Sequence, residues 1–222
     1  MVKSRITRKP PSSPGKSLGT SIYGQISDEE QDSGLDLSNH FLIAMPSMPG
    51  DPVFGGSVVY LCEHNAGGAL GVIINKPTDM SIDNLLDRID VELEITPSGV
   101  PLDRKPVMFG GPMEVERGFV LHAPLTPYSS MMTVSDDIAL TTSKDVLEAV
   151  AHGAGPTRIL VTLGCAGWSP GQLEQEIANN GWLTVRAEPH IVFDTPIERR
   201  FDAAMRLLGI DPSMLSGVAG HA

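Results

Sequence analysis

From Leu37 onward the chain alternates between short apolar runs and stretches in which apolar residues recur at helical spacing. HFLIAM (His40 to Met45) predicts a strand ending in the Pro- and Gly-rich turn PSMPGDPVFGG. SVVYLC and ALGVIINK predict the arms of a hairpin joined by Glu63 to Gly68, with Gly67 and Gly68 permitting the reversal. In MSIDNLLDRID, Ile82, Leu85, Leu86 and Ile89 fall on one helical face behind Ser81 as N-cap, and KPVMFGGP and RGFVLHAP are strand-like. ALTTSKDVLEAVAHG predicts a short helix with Thr142 as cap, Asp145 in the capping-box position and Gly153 as stop.

The last third has the same grammar. RILVTLG predicts a strand. Ser169, Pro170 and Gln172 read as cap, first helical position and box residue for a helix running to Gly181. WLTVRA and HIVFD predict strands, after which Thr195, Pro196 and Glu198 repeat the start signal for IERRFDAAMRLLG, stopped by Gly209. Strands outnumber helices and some are joined by hairpins, so the expected class is α+β with a mixed, mainly antiparallel sheet.

Charge separates the first 36 residues from the rest. Residues 1–16 carry Lys3, Arg5, Arg8, Lys9 and Lys16 with no acid, and residues 17–37 carry Asp28, Glu29, Glu30, Asp32 and Asp36 with no base. Ser, Pro and Gly dominate this stretch and apolar residues are few, so residues 1–36 are expected to be a disordered extension and 37–222 one domain. The whole chain, at −11, carries its excess of acid on that domain, which should repel phosphate backbones, so direct nucleic-acid binding is not expected. No apolar run approaches the length of a membrane span and no apolar segment follows the basic N-terminus, so no membrane association and a cytoplasmic location are expected.

Known chemical signatures are absent. There is no GxxxxGK[ST] loop, HExxH, CxxC pair or GxSxG elbow. Cys62 and His64 would share a strand face, but no second close pair completes four ligands, so neither a metal nor a cofactor is expected.

FLIAMP, SVVYLCEHN, GVIINKP, FGGP, RGFVLH, the segment Ser135 to Leu147, GWSPGQLEQEI, NNGWLTV and the tail DPSMLSGVAGHA, in that order, resemble the YqgE/AlgH family of bacterial proteins from Leu37 to Ala222. The resemblance implies a bifurcated sheet curled into a pseudo-barrel with flanking helices. Some members carry the label of transcriptional regulator, yet no helix-turn-helix with a basic recognition helix is present in this chain.

The polar residues with chemical potential collect at predicted strand ends and turns: Glu63, His64 and Asn65; Asn75 and Lys76; Gly110 and Gly111; Arg117 and His122; and, beside Gln172, Trp168. If the hairpin brings Asn65 and Asn75 to one end, His64 and Lys76 would form an anion pocket. Each of these residues also has a purely structural explanation, in turns, backbone hydrogen bonds or core anchoring. Two functions follow. The preferred one is a non-enzymatic binding or regulatory protein acting through a protein partner or small ligand, with this set as its contact surface. The alternative is an enzyme on a small anionic substrate, with His64 as general acid/base, Glu63 orienting it and Lys76 or Arg117 binding the anion. A transcriptional regulator is a third and would depend on the basic arm.

Overall fold

The computed structural model describes residues 35–45, 52–92 and 105–210. The expected extension therefore lies outside the described residues except for Leu35 and Asp36. In chain order the elements are β1 (His40–Ala44), β2 (Val58–Asn65), β3 (Gly68–Ile73), β4 (Pro77–Ser81), α1 (Ile82–Arg88), β5 (Pro106–Phe109), β6 (Met113–Ala123), β7 (Met131–Thr133) and β8 (Ala139–Thr141). There follow α2 (Asp145–Ala151), β9 (Arg158–Trp168), α3 (Gln172–Ala178), β10 (Trp182–Arg186), α4 (Pro189–Phe193), a 3₁₀ turn (Ile197–Arg199) and α5 (Arg200–Leu207). The fold is α+β: the strands join in the order β10-β1-β2-β3-β9-β6-β8-β7, with β4 and β5 branching off, in a curled and mainly antiparallel sheet.

Both faces of the sheet are covered, which is why SVVYLC reads as an unbroken apolar run. Val58, Tyr60 and Cys62 of β2 face one core together with Phe41, Leu160 and the α4–α5 residues Ile191, Val192, Ala204 and Met205. Val59 and Leu61 face the other way, toward Trp168, Leu173 and Trp182 at α3. Farther along that outer face, α1 and α2 pack Leu85, Leu86, Val146 and Leu147 on Val107, Val120, Ile159 and Val161.

Strand β9 organises the branch. It pairs antiparallel with β6 at Thr162↔Phe119 and Leu163↔Gly118, and parallel with β5 through the same two residues, so β5 and β6 flank it on opposite sides. Only Gly110, Gly111 and Pro112 link those strands, and they cross over β9 across two strand spacings, roughly 10 Å. The crossing is made main chain to main chain. A Cβ on Gly110 would lie 2.1 Å from the Gly164 carbonyl oxygen, and one on Gly111, whose φ is +150°, 2.3 Å from the Cys165 carbonyl carbon. The β5 ladder stops at Met108↔Thr162, and Pro106, which has no N–H, cannot donate to β9 farther back. Among the described residues, Arg158 to Val161 have a strand partner on the β6 side only. Here the sheet forks.

Several expected elements take a different form. Strand β2 continues through Glu63, His64 and Asn65, leaving only Ala66 and Gly67 as the turn. Pro77–Ser81, Met131–Thr133 and Ala139–Thr141 are strands that no expectation covered, the last ending just before the expected helix cap at Thr142. Helix α2 starts later, at Asp145, whose Oδ1 accepts from the Val146 N–H at 3.0 Å; Thr142 instead accepts from Arg117 Nη2 at 3.2 Å. HIVFD is helical rather than extended: Pro189 occupies the first turn of α4, and Ile191 and Val192 are both buried, which alternation in a strand on a one-sided surface would not produce. Ser81 precedes α1 without a side-chain cap bond. At α3 the cap is Gly171 in the left-handed region, while Ser169 donates its N–H to Gln172 Oε1 at 3.0 Å, one half of the expected box. Thr195 Oγ1 donates to the His190 carbonyl at 3.1 Å, and α5 starts only after the 3₁₀ turn. Gly153 and Gly209 stop their helices with φ of +71° and +72°. Among the described residues no helix is long and apolar enough to cross a membrane.

Gly111→Ala should lower unfolding free energy in urea by at least about 2 kcal/mol, because a Cβ there meets backbone atoms. Gly118→Ala, on the same strand system with no atom within 4 Å of the new Cβ, should change it by less than about 0.5 kcal/mol.

Candidate functional site

The period of two along β2 separates Glu63, His64 and Asn65. Glu63 and Asn65 are exposed and bond each other, Asn65 Nδ2 donating to Glu63 Oε1 at 2.9 Å, while Asn65 Oδ1 accepts the Gly67 N–H at 2.7 Å and shapes the turn. His64 points inward and is buried. Its Nδ1 accepts the Leu37 N–H at 3.1 Å, which places the ring proton on Nε2, and that nitrogen donates to Glu174 Oε1 of α3 at 3.1 Å. The His64 N–H donates to Ser38 Oγ at 3.0 Å. The imidazole thus ties the segment before β1 to β2 and α3, with both ring nitrogens occupied.

Asn75 and Lys76 lie at the other end of the hairpin. Asn65 pairs with Gly68 at the turn, whereas Asn75 accepts the Val58 N–H at 2.8 Å and donates to the Gly56 carbonyl at 2.9 Å, roughly 20 Å away along the strands. The condition for a pocket shared by His64 and Lys76 is therefore not met; Lys76 Nζ donates to the Val53 carbonyl. Gly110 and Gly111 form the crossing over β9. Arg117 is exposed on the bulged start of β6, bonded to Glu114 Oε2 at 2.8 Å and lying 5.6 Å from the Phe119 ring centroid. His122 is fully buried: Nε2 meets Thr141 Oγ1 at 2.9 Å, the ring stands edge-on to Tyr128, and burial pushes its pKa below the usual 6.5. The ten residues named from sequence thus occupy separate places and do not converge on one cavity.

Trp168 is buried rather than presented beside Gln172. Its Nε1–H donates to Glu176 Oε2 at 2.9 Å, and Trp182 donates to the same oxygen at 2.8 Å. Gln172 Nε2 donates to the other carboxylate oxygen at 3.0 Å, and Phe54 closes the aromatic cluster. Cys62 and Cys165 are free thiols in one buried core, and burial pushes both pKa values up, so neither is a reactive thiolate. Among the described residues no group of three His, Cys, Asp or Glu side chains is placed to hold a metal.

A concave site does exist, at the fork of the sheet. A cleft of about 300 Å³ opens where β5 leaves β9, with Ile82, Met108, Ile159, Val161, Phe193 and Ile197 among its walls and Lys105, Asp194 and Arg200 among its polar residues. Arg200 starts α5 and is only 6% exposed. Its Nε–H donates to the Thr195 carbonyl at 3.1 Å and its Nη1 to the Ile74 carbonyl beyond β3. No carboxylate among the described residues forms an ion pair with it; Asp194 is paired with Arg158 at 3.6 Å. Burial lowers its pKa from 12.5 to about 10, with the charge of Glu198 acting in the opposite direction, and it stays charged at neutral pH. Arg200, Lys105 and Asp194 were not among the candidate residues named from sequence. The available signal was a cation on the buried stripe Arg200, Ala204, Met205 of an amphipathic helix.

Glu176→Ala leaves two buried indole N–H groups without an acceptor and should cost about 2–4 kcal/mol in urea unfolding, with Gln at this position recovering part of the loss. His122 gives a pH signature. Its folded-state pKa lies below 6.5, so just under that pH the unfolded chain binds the extra proton, and stability is full above 6.5 and falls as pH drops through the window beneath it. That slope should disappear in His122→Gln when unfolding free energy is measured between pH 5 and pH 7.5, values set roughly one unit either side of the ordinary histidine range.

Comparison with known proteins agrees with the fold just described. A family model described as AlgH-like matches residues 41–213. A UPF0301 protein of Ralstonia nicotianae is 60% identical over 191 residues, covering 86% of this chain and 98% of the relative. One from Burkholderia mallei is 60% identical over 190 residues, covering 85% and 96%. The solution structure of the AlgH protein from Pseudomonas aeruginosa matches with a TM-score of 0.69 at 43% identity, covering 87% of this chain and 100% of that one. A crystal structure of a Corynebacterium diphtheriae protein, at 20% identity and a TM-score of 0.60 over 79% of this chain, shares the fold alone. By sequence over most of its length and by the architecture of its forked sheet, the chain belongs to the YqgE/AlgH family.

Proposed function

We propose that this chain is a non-enzymatic binding protein that receives a small ligand in the cleft at the fork of its sheet. The observation that carries this is the cleft itself: about 300 Å³, at the lower end of the range for small-molecule sites, with mostly apolar walls and a few polar groups at one place. Binding rather than catalysis is supported by how the polar residues are spent. His64, on which an acid/base mechanism would rest, has one ring nitrogen committed to a backbone N–H and the other to Glu174. Glu63 lies outside on the hairpin turn and accepts from Asn65, so it does not orient the imidazole. The rigid sheet on two sides of the fork and α5 on the third hold the walls in place, which limits the ordering cost of binding.

The test is a titration of the full chain, labelled at its Ile and Met methyl groups, with a fragment set of small carboxylates, phosphates, amines and neutral aromatics. Binding fragments should shift the methyl signals of Ile82, Met108 and Ile159 and leave those of Ile43 and Met205 in place. Ile159→Trp, which fills the cleft, should abolish the response. A set that leaves the three cleft methyls unmoved, or moves only residues near Glu63 and Glu174, overturns the proposal.

A further inference from the structure

Building on the ligand-binding reading of the cleft, we infer that its ligand is an amphipathic anion, whose carboxylate sits on the Arg200 guanidinium and whose apolar body lies along Ile82, Met108, Ile159 and Phe193.

Three independent features lead there. The first is charge. Arg200 is more than nine-tenths buried, lines the cleft, and has no contact ion pair among the described residues, the Glu198 carboxylate acting on it only through space. Buried charges in folded proteins are normally paired, because a desolvated ion without a counterion is costly. The second is donor inventory. Two of the five N–H donors of the guanidinium go to the carbonyls of Thr195 and Ile74, and Nη2 has no acceptor among the described residues. Those two carbonyls fix the plane of the group without neutralising it, so the side chain is positioned before any ligand arrives. The third is the company it keeps. Lys105 adds a second cation to the cleft lining, while the carboxylate there, Asp194, is bridged to Arg158 and half exposed. The remaining wall is aliphatic and aromatic and spans the seam between the core inside the curled sheet and the core under α1 and α2. A small inorganic anion would satisfy Arg200 and leave that wall wet; an apolar neutral molecule would do the reverse. An anionic head on a short hydrocarbon body satisfies both, and a planar carboxylate matches the planar donor group.

The experiment titrates the full chain with sodium octanoate, octan-1-ol, octylamine and inorganic phosphate, following the methyls of Ile82, Met108 and Ile159 and the Nε–H of Arg200. Octanoate should bind at least tenfold more tightly than octanol and move all four signals, and phosphate should move the Arg200 signal alone. The advantage of octanoate should shrink on raising sodium chloride and vanish in Arg200→Met, with octanol binding retained. The salt dependence on the unmodified chain decides the matter even where the variant does not fold. Octanol or octylamine binding as tightly as octanoate overturns the inference and leaves the cleft as a ligand site of other chemistry. If none of the four probes moves the cleft methyls, and the fragment set moves none either, the ligand-binding reading falls with it.

Discussion

Everything in this fold hangs on one close approach, the passage of Gly110 and Gly111 across the backbone of β9. The chain climbs beside β9 as β5, crosses it within three residues and descends on the opposite side as β6, and a Cβ at either crossing glycine would meet the β9 main chain and, at Gly110, the Thr162 side chain. Gly164 beneath the arch has φ of +77°, and a Cβ there would lie 2.4 Å from the Gly111 carbonyl oxygen, so the requirement applies to both layers. The Gly110 N–H donates to the Leu163 carbonyl, and its own carbonyl accepts the Ile73 N–H, both at 2.8 Å. A few peptide groups thereby set the register of β3, β5, β6 and β9 at once.

The fork follows from the arch and from Pro106. Because β5 must reach the crossing point, it runs beside only the middle of β9, and Pro106, which has no N–H, cannot donate to β9 farther back toward Ile159. The opening cannot close by sheet formation, so it is closed from the side by the α4–α5 segment. Arg200 supplies the link, its guanidinium joining the carbonyl before β4 to the one that ends the α4 turn. A neutral donor could make those two bonds. The guanidinium brings a buried charge to the joint as well, which the two carbonyls orient without neutralising.

Much of the architecture was legible because local rules operate there without competition. The apolar runs around Tyr60, Leu121 and Val161 are strands, and the glycines at 153 and 209 end their helices as expected, in the left-handed conformation. Failures occurred where tertiary context overrode a local signal. Thr142 precedes a helix and resembles a cap, but its hydroxyl is taken by Arg117 from a neighbouring strand. HIVF is too short for its apolar pattern to separate strand from helix, and packing under α5 decides it. The site was harder still. Glu63, His64 and Asn65 are adjacent in sequence and attract notice as a group, yet the pleat sends the histidine inward and its neighbours outward. Arg200 is one of two arginines in a row, and its significance depends on the carbonyl of Ile74, 126 positions earlier, a relation that no spacing rule encodes.

The aromatic corner at α3 has a practical consequence. Both tryptophans of the chain stand in it, their rings 6.0 Å apart and their indoles sharing one Glu176 oxygen. Intrinsic emission from this protein therefore reports a single environment, on the far side of the sheet from the core that α5 covers. An occupant of the fork would be optically silent, and emission would change only when β10, α3 or the turn bearing Phe54 moved. For this chain a flat fluorescence titration says nothing about vacancy at the fork, while a shift in emission signals rearrangement of the α3 corner.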